Sequence, residues 1–193
     1  PVAEYAFGYA SDIRLMELTT DTFMALYPLL PAHIDLIIQI VSGLRTQGGV
    51  SKHVGGANRT IIKLAQQLLI HPDVNLAAQP VGALVRIDQI YDLVAGNVSG
   101  ELRGKISAIP DQTEHPLAQA VAKAICLLQY VRSVHRTREN IAALLHPAVD
   151  AGSRLPEVRA ALAELCERRL VLRGTDGYRV PSPSSPTRTA PYA

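Results

Sequence analysis

Between Pro116 and Val180 the apolar residues fall into three runs with helical steps and then two short β-prone runs, an order few architectures accept. Leu117, Ala120, Val121, Ala124, Leu128 and Val131 recur every three or four residues and predict a helix from Pro116 to about Ser133. Thr137-Arg138-Glu139-Asn140 reads as the cap of a short helix, Ile141 to Leu145. After a loop with Pro147 and Gly152, a third helix is expected over about Leu155 to Arg169, carrying Leu155, Val158, Leu162, Leu165 and Cys166 inward. Leu170 to Arg173 and Tyr178 to Val180 then flank the turn Gly174-Thr175-Asp176-Gly177, and Asp-Gly between β-prone runs signals a hairpin. Three helices and a hairpin in that order predict a winged helix-turn-helix.

The first half reads as helical, with no convincing strand. Ile34, Ile37, Ile38, Val41 and Leu44 predict an amphipathic helix that Pro31 opens. Before it, Thr20-Asp21 can cap a shorter helix through Leu26, which Pro28 ends. Gly48-Gly49 and Gly55-Gly56 bracket a loop, after which Asn58 or a neighbour caps a helix from about Arg59 to Ile70, with Ile61, Leu64, Ala65 and Leu68 as its stripe. His71-Pro72-Asp73 ends it, and an extended stretch from Pro80 to Arg86 follows. Ile87, Ile90, Tyr91 and Val94 mark the next helix, stopped near Gly96, and a weaker one runs from Glu101 to Ser107. The expected chain is therefore mainly α: a helical bundle at residues 1–110, a winged helix at 111–180 and a disordered Pro/Ser-rich tail at 181–193.

Composition narrows the function. With 193 residues, 48% of them hydrophobic, the chain can bury a core in one or two domains. Its formal net charge of +2 excludes a globally basic nucleic-acid binder, so any basic site must be local. From Arg132 to Val180 nine Arg and no Lys stand against six acids, a net of +3. On the winged-helix reading the third helix enters a major groove while the hairpin touches the DNA backbone. Arg154, Arg159, Arg173 and Arg179 are then the candidate contacts to duplex DNA, and Glu157 and Glu164 must lie on the far side of the helix. Aromatics at 5%, with no Trp, argue against stacking single-stranded bases.

Other classes lack their residues. No apolar run reaches the ~18 residues of a spanning helix, so no membrane is expected. Cys126 and Cys166 have no His partners at ligand spacing, which leaves no metal site and suggests reduced thiols in the cytoplasm. Asp88 and Asp92 sit one helical turn apart and read as a solvated face rather than an acid/base pair. The opening Pro1-Val2-Ala3-Glu4, without Met or a signal pattern, suggests a piece of something longer.

Two glycine segments bear on phosphate binding. Gly48-Gly49-Val50-Ser51-Lys52-His53 is not a phosphate loop, because Gly-x-x-x-x-Gly-Lys-Ser/Thr is missing. Gly55-Gly56-Ala57-Asn58-Arg59 delivers an arginine to the first turn of a helix, where guanidinium and free amides can face a phosphate together. The plainer reading is a surface Arg beside a cap.

Taken in order, Tyr27-Pro28-Leu29-Leu30-Pro31, the Ser51-Lys52-His53 loop, Asn58-Arg59-Thr60, the stretch Leu84 to Val94 and Pro116-Leu117-Ala118-Gln119 form a pattern over roughly residues 20–180. It resembles the segment behind the nucleotide-binding core in the large P-loop ATPases of bacteriophage-exclusion (BREX) and phage-growth-limitation (Pgl) defence systems. The resemblance implies an AAA+-like ATPase in which a helical lid and a winged helix follow the catalytic fold. It makes Arg59 the counterpart of the sensor-2 arginine that reaches the γ-phosphate of ATP, with Lys52 and His53 beside it as cofactor-binding candidates. Ser51 and Asn58 depart from the family pattern, which has Gly before Lys-His and an acid before the arginine. The implied partners are the upstream ATPase core, other phage-defence proteins and duplex DNA. Because the Walker A lysine and the acidic strand that holds Mg²⁺ are absent from this sequence, the chain alone should not hydrolyse ATP. Two alternatives stand beside this expectation: a stand-alone winged-helix DNA-binding regulator with a helical dimerisation region, and an assembly module whose winged helix touches only protein.

Overall fold

The computed structural model describes residues 19–47 and 56–181, with side chains at 19–46 and 62–181. Over these residues the protein is mainly helical, with eight α-helices and one small two-stranded antiparallel sheet. The Gly48–Gly55 loop and the tail beyond Pro181 lie outside the described residues.

Helix α1 (Thr20–Leu26) is capped by Thr19, one residue before the expected pair. The Thr22 N–H donates to Thr19 Oγ1 at 3.1 Å and the Thr19 N–H to Thr22 Oγ1 at 3.0 Å, so two otherwise orphaned donors are satisfied. Helix α2 (Pro31–Gln47) buries Leu36, Ile37, Ile40, Val41 and Leu44, while Ile38 is 40% exposed. The buried stripe is thus rotated by one residue from the expected one. Two features turn it: His33 lies on the buried side, where Leu30 N–H donates to its Nδ1 at 3.3 Å, and Gly43 faces Tyr130. A Cβ at Gly43 would stand 2.8 Å from Tyr130 Cβ, so only a glycine lets α2 approach this closely.

Helix α3 (Gly56–Ile70) starts ahead of its expected cap, which places Asn58 inside the helix. Leu64 and Leu68 are buried as expected; the Ile61 side chain lies outside the described residues. The chain then crosses to the other half, where Ala83 forms an antiparallel bridge with Ala148. Leu84 N–H donates to Pro147 O at 2.8 Å and Val149 N–H to Gly82 O at 2.9 Å. Helix α4 (Ile87–Val94) buries Ile87, Ile90, Tyr91 and Val94, the expected face. It also buries Asp88, which corrects the solvated-face reading for that residue, whereas Asp92 is exposed: Arg86 Nε and Nη2 bind the Asp88 carboxylate in bidentate fashion at 2.9 and 2.8 Å. Helix α5 (Gly100–Ser107) follows, capped by Ser99.

Helix α6 (Ala118–Leu128) is shorter than expected and is not one-faced. Val121, Ala122 and Ala124 through Leu128 are all essentially inaccessible, because α4, α5 and the two helices that follow all pack on α6. A helix apolar all round must be enclosed on all sides. Helix α7 (Arg138–Leu144) is capped by Thr137, whose hydroxyl accepts from Asn140 N–H at 3.2 Å. Helix α8 (Leu155–Glu167) buries Val158, Ala161, Leu162 and Leu165, whereas Leu155 and Cys166 are only half-buried. Strand β1 (Leu172–Gly174) is one residue shorter than the expected run and β2 (Gly177–Arg179) is shifted by one; they pair Leu172 with Arg179, Arg173 with Tyr178 and Gly174 with Gly177. The buried side chains of both halves form one continuous core across residue 110.

Among the described residues no single helix is long and apolar enough to cross a membrane. The pair α1 and α2 passes that test only together and is bent by 46° at its break.

Candidate functional site

The site begins with a backbone contact. Between α6 and α7 the chain passes beside the hairpin, where Arg136 bridges Gly177 in the parallel sense. Arg136 N–H donates to Asp176 O at 3.1 Å, Tyr178 N–H donates to Arg136 O at 2.9 Å, and Arg136 Nε holds Tyr178 O at 2.8 Å. Gly177 sits at φ +95°, and a Cβ there would overlap the Arg136 carbonyl. This contact places the start of α7 against the sheet.

The orientation of α8 is set by Glu164. Its carboxylate accepts from Glu114 N–H at 2.8 Å and His115 N–H at 3.0 Å, and Arg168 Nε lies 3.1 Å away. Those backbone donors and the neighbouring arginine hold its carboxyl below the usual carboxylate range. Glu164 therefore faces the body of the protein, on the far side of α8.

Where α8 meets the hairpin, a groove of about 440 Å³ opens. Arg138 from α7, Arg159 from α8 and Arg173 from β1 surround it with Tyr178, over a floor that includes Leu162 and Cys166. Arg138 is paired, its Nε 2.6 Å from Glu139 Oε1. Burial alone would raise the Glu139 carboxyl, but the bond from Arg138 and the charge of Arg159 keep it below its ordinary value. Among the described residues, the side chains of Arg159 and Arg173 make no hydrogen bond or ion pair. Burial pushes the Cys166 thiol up against the pull of Arg173, so the groove holds a thiol and no thiolate nucleophile at neutral pH. The groove therefore sets two guanidinium groups beside an apolar floor.

Of the four arginines expected to contact DNA, the structure brings Arg159 and Arg173 together and separates the other two. Arg154 stands at the N-cap of α8, with Nη1 3.4 Å from Glu157 Oε2. Arg179 pairs with Leu172, so along the strand it points to the face opposite Arg173 and Tyr178, and its Nε is buried without a hydrogen-bond partner. Arg138 and Tyr178 escaped the sequence reading; the signal was present in the cap segment and in the hairpin, but nothing local joined them. Lys52 and His53 lie outside the described residues. Arg59 falls in the first turn of α3, and its side chain is likewise outside them.

Among the described residues no group of three His, Cys, Asp or Glu could hold a metal ion. Cys126 is a core residue, its thiol pushed up to about 12 by burial. No family model and no solved structure matches this chain.

Proposed function

We propose that this chain is the lid and winged-helix portion of a phage-defence P-loop ATPase, which carries the nucleotide state of a neighbouring catalytic core to DNA or to a protein partner. The succession α6, the extended Arg136, α7, α8 and hairpin supports the winged-helix reading, since a short strand between the first two helices is what lets a wing attach. The observation that carries the coupling is the joint between the halves. Lys123 on α6 lies 2.6 Å from Asp92 on α4, Gln39 Nε2 donates to Ser133 Oγ at 3.0 Å, and the Ala83–Ala148 bridge ties the crossing segments. Because α3 packs on α4, α4 on α6 and α6 on α8, a displacement of α3 at a phosphate would be passed toward α8.

In this reading Arg59 faces the γ-phosphate of ATP held by the upstream core, with Lys52 and His53 beside it, and the chain contributes charge and leverage while the core supplies the hydrolytic groups. In the complete ATPase, Arg59→Ala should lower ATP turnover about 100-fold, the loss typical of a preorganised charge. Unchanged turnover removes Arg59 from the mechanism. The reading frame upstream of Pro1 should encode Gly-x-x-x-x-Gly-Lys-Ser/Thr; a start codon there favours the stand-alone regulator.

A further inference from the structure

We propose that the groove between α8 and the hairpin docks an extended acidic segment of a partner protein, with one large apolar side chain on Leu162 and Cys166 and carboxylates against Arg159 and Arg173. The inference rests on the winged-helix reading and names the partner class that reading left open.

Three observations converge on this occupant. Arg159 and Arg173 are exposed cations whose side chains make no hydrogen bond or ion pair among the described residues, although Arg159 feels the charge of Glu139, and they stand beside an apolar floor in a concave site. Such a combination selects an anion attached to an apolar group. The second observation is the sheet edge. Strand β2 is contacted on its far side by Arg136, but no described strand pairs with the outer edge of β1. Because Gly174 and Gly177 close the two-residue loop, Arg173 is in a non-hydrogen-bonded pair with Tyr178, and its N–H and C=O point outward toward an added strand. The third observation weighs against duplex DNA. The outward face of α8 carries Glu157, Ala160, Ala163 and Glu167 beside Arg159, Glu157 already occupies Arg154, and of the exposed arginines just past its end Arg168 is held by Glu164. A helix that sets two carboxylates and two alanines outward is a poor match to a phosphate backbone and brings little to base edges.

The test is a random peptide-display library panned without nucleotide on the full 193-residue chain, with R159E/R173E as counter-selection. Selected peptides and a random-sequence DNA duplex are then measured by fluorescence anisotropy. The expected peptides share net negative charge and a large apolar residue, and bind the double variant at least about tenfold more weakly. Ala163→Glu is a second variant at an exposed position, where the fold should be unaffected; it should weaken the same peptides by a similar factor. Peptides without that composition, peptides that bind both variants as well as the parent, or duplex DNA that binds through Arg159 and Arg173 while acidic peptides do not would overturn the proposal. None of these outcomes involves Arg59 or ATP, so failure here leaves the ATPase reading standing, and unchanged turnover in Arg59→Ala leaves the groove untouched.

Discussion

At Gly177 two remote stretches of backbone come close together. At φ +95° it occupies a region that side chains rarely adopt, and its Cα faces the Arg136 carbonyl with no room for a methyl group. Gly177→Ala should therefore destabilise the protein by about 2–4 kcal/mol, adding left-handed strain to steric overlap. Chemical denaturation measures this, and a loss below about 1 kcal/mol would mean that the contact yields easily. Arg169 tolerates φ 57° at the end of α8 because it is exposed and Leu170 N–H can still reach Leu165 O at 2.9 Å. At Asp88 the sequence held both partners of the ion pair, yet nothing local revealed that α4 turns its first residues inward and forces the carboxylate onto Arg86.

Helix α6 packs against both halves, and at its polar margin Lys123 reaches α4. That ammonium lies 2.6 Å from Asp92 and 5.7 Å from the centre of the Tyr91 ring, with the lysine side chain only 15% exposed. Lys123→Met keeps the apolar stem and removes the charge, so the expected loss is about 1–2 kcal/mol in thermal unfolding. An unchanged midpoint would show the pair to be incidental. The helices were legible because their signals are short-range: three- and four-residue steps, Thr137 as a cap, Asp-Gly in a turn. Their faces were less so. Ile38 reads as core by spacing alone, but α2 rolls by one residue to bring Gly43 to Tyr130. In the groove, Arg159 and Arg173 were visible as cations on the third helix and the hairpin. The roles of Arg138 and Tyr178 depend on α7 abutting the sheet through Arg136.

The molecule as a whole should lose stability with acid in two stages. Burial lowers the His33 pKa from 6.5 to about 4, so the folded protein resists a proton that the unfolded chain accepts. That contribution is complete above the unfolded value and declines as pH falls from about 6.5 toward 4, by up to about 3 kcal/mol. Glu139 and Glu164, whose carboxyls are held below their ordinary range, add their loss at lower pH. Urea midpoints between pH 7 and 4 should decline in the parent and decline less in His33→Gln, where His146, also lowered by burial, still responds; a parent curve level from pH 7 to 5 would refute the assignment.

Short-range order in the chain settled which segments are helical, where they are capped and where the hairpin turns, since each of those choices is made among residues within a few positions of one another. Three-dimensional packing settled which face of α2 is buried, why α6 is enclosed all round and which arginines share a groove. Those outcomes rest on pairings such as Glu164 with the Glu114 and His115 amides, 50 and 49 positions apart, and Gln39 with Ser133, 94 apart. No local period encodes such distances, because they are fixed only when whole elements compete for the same buried space.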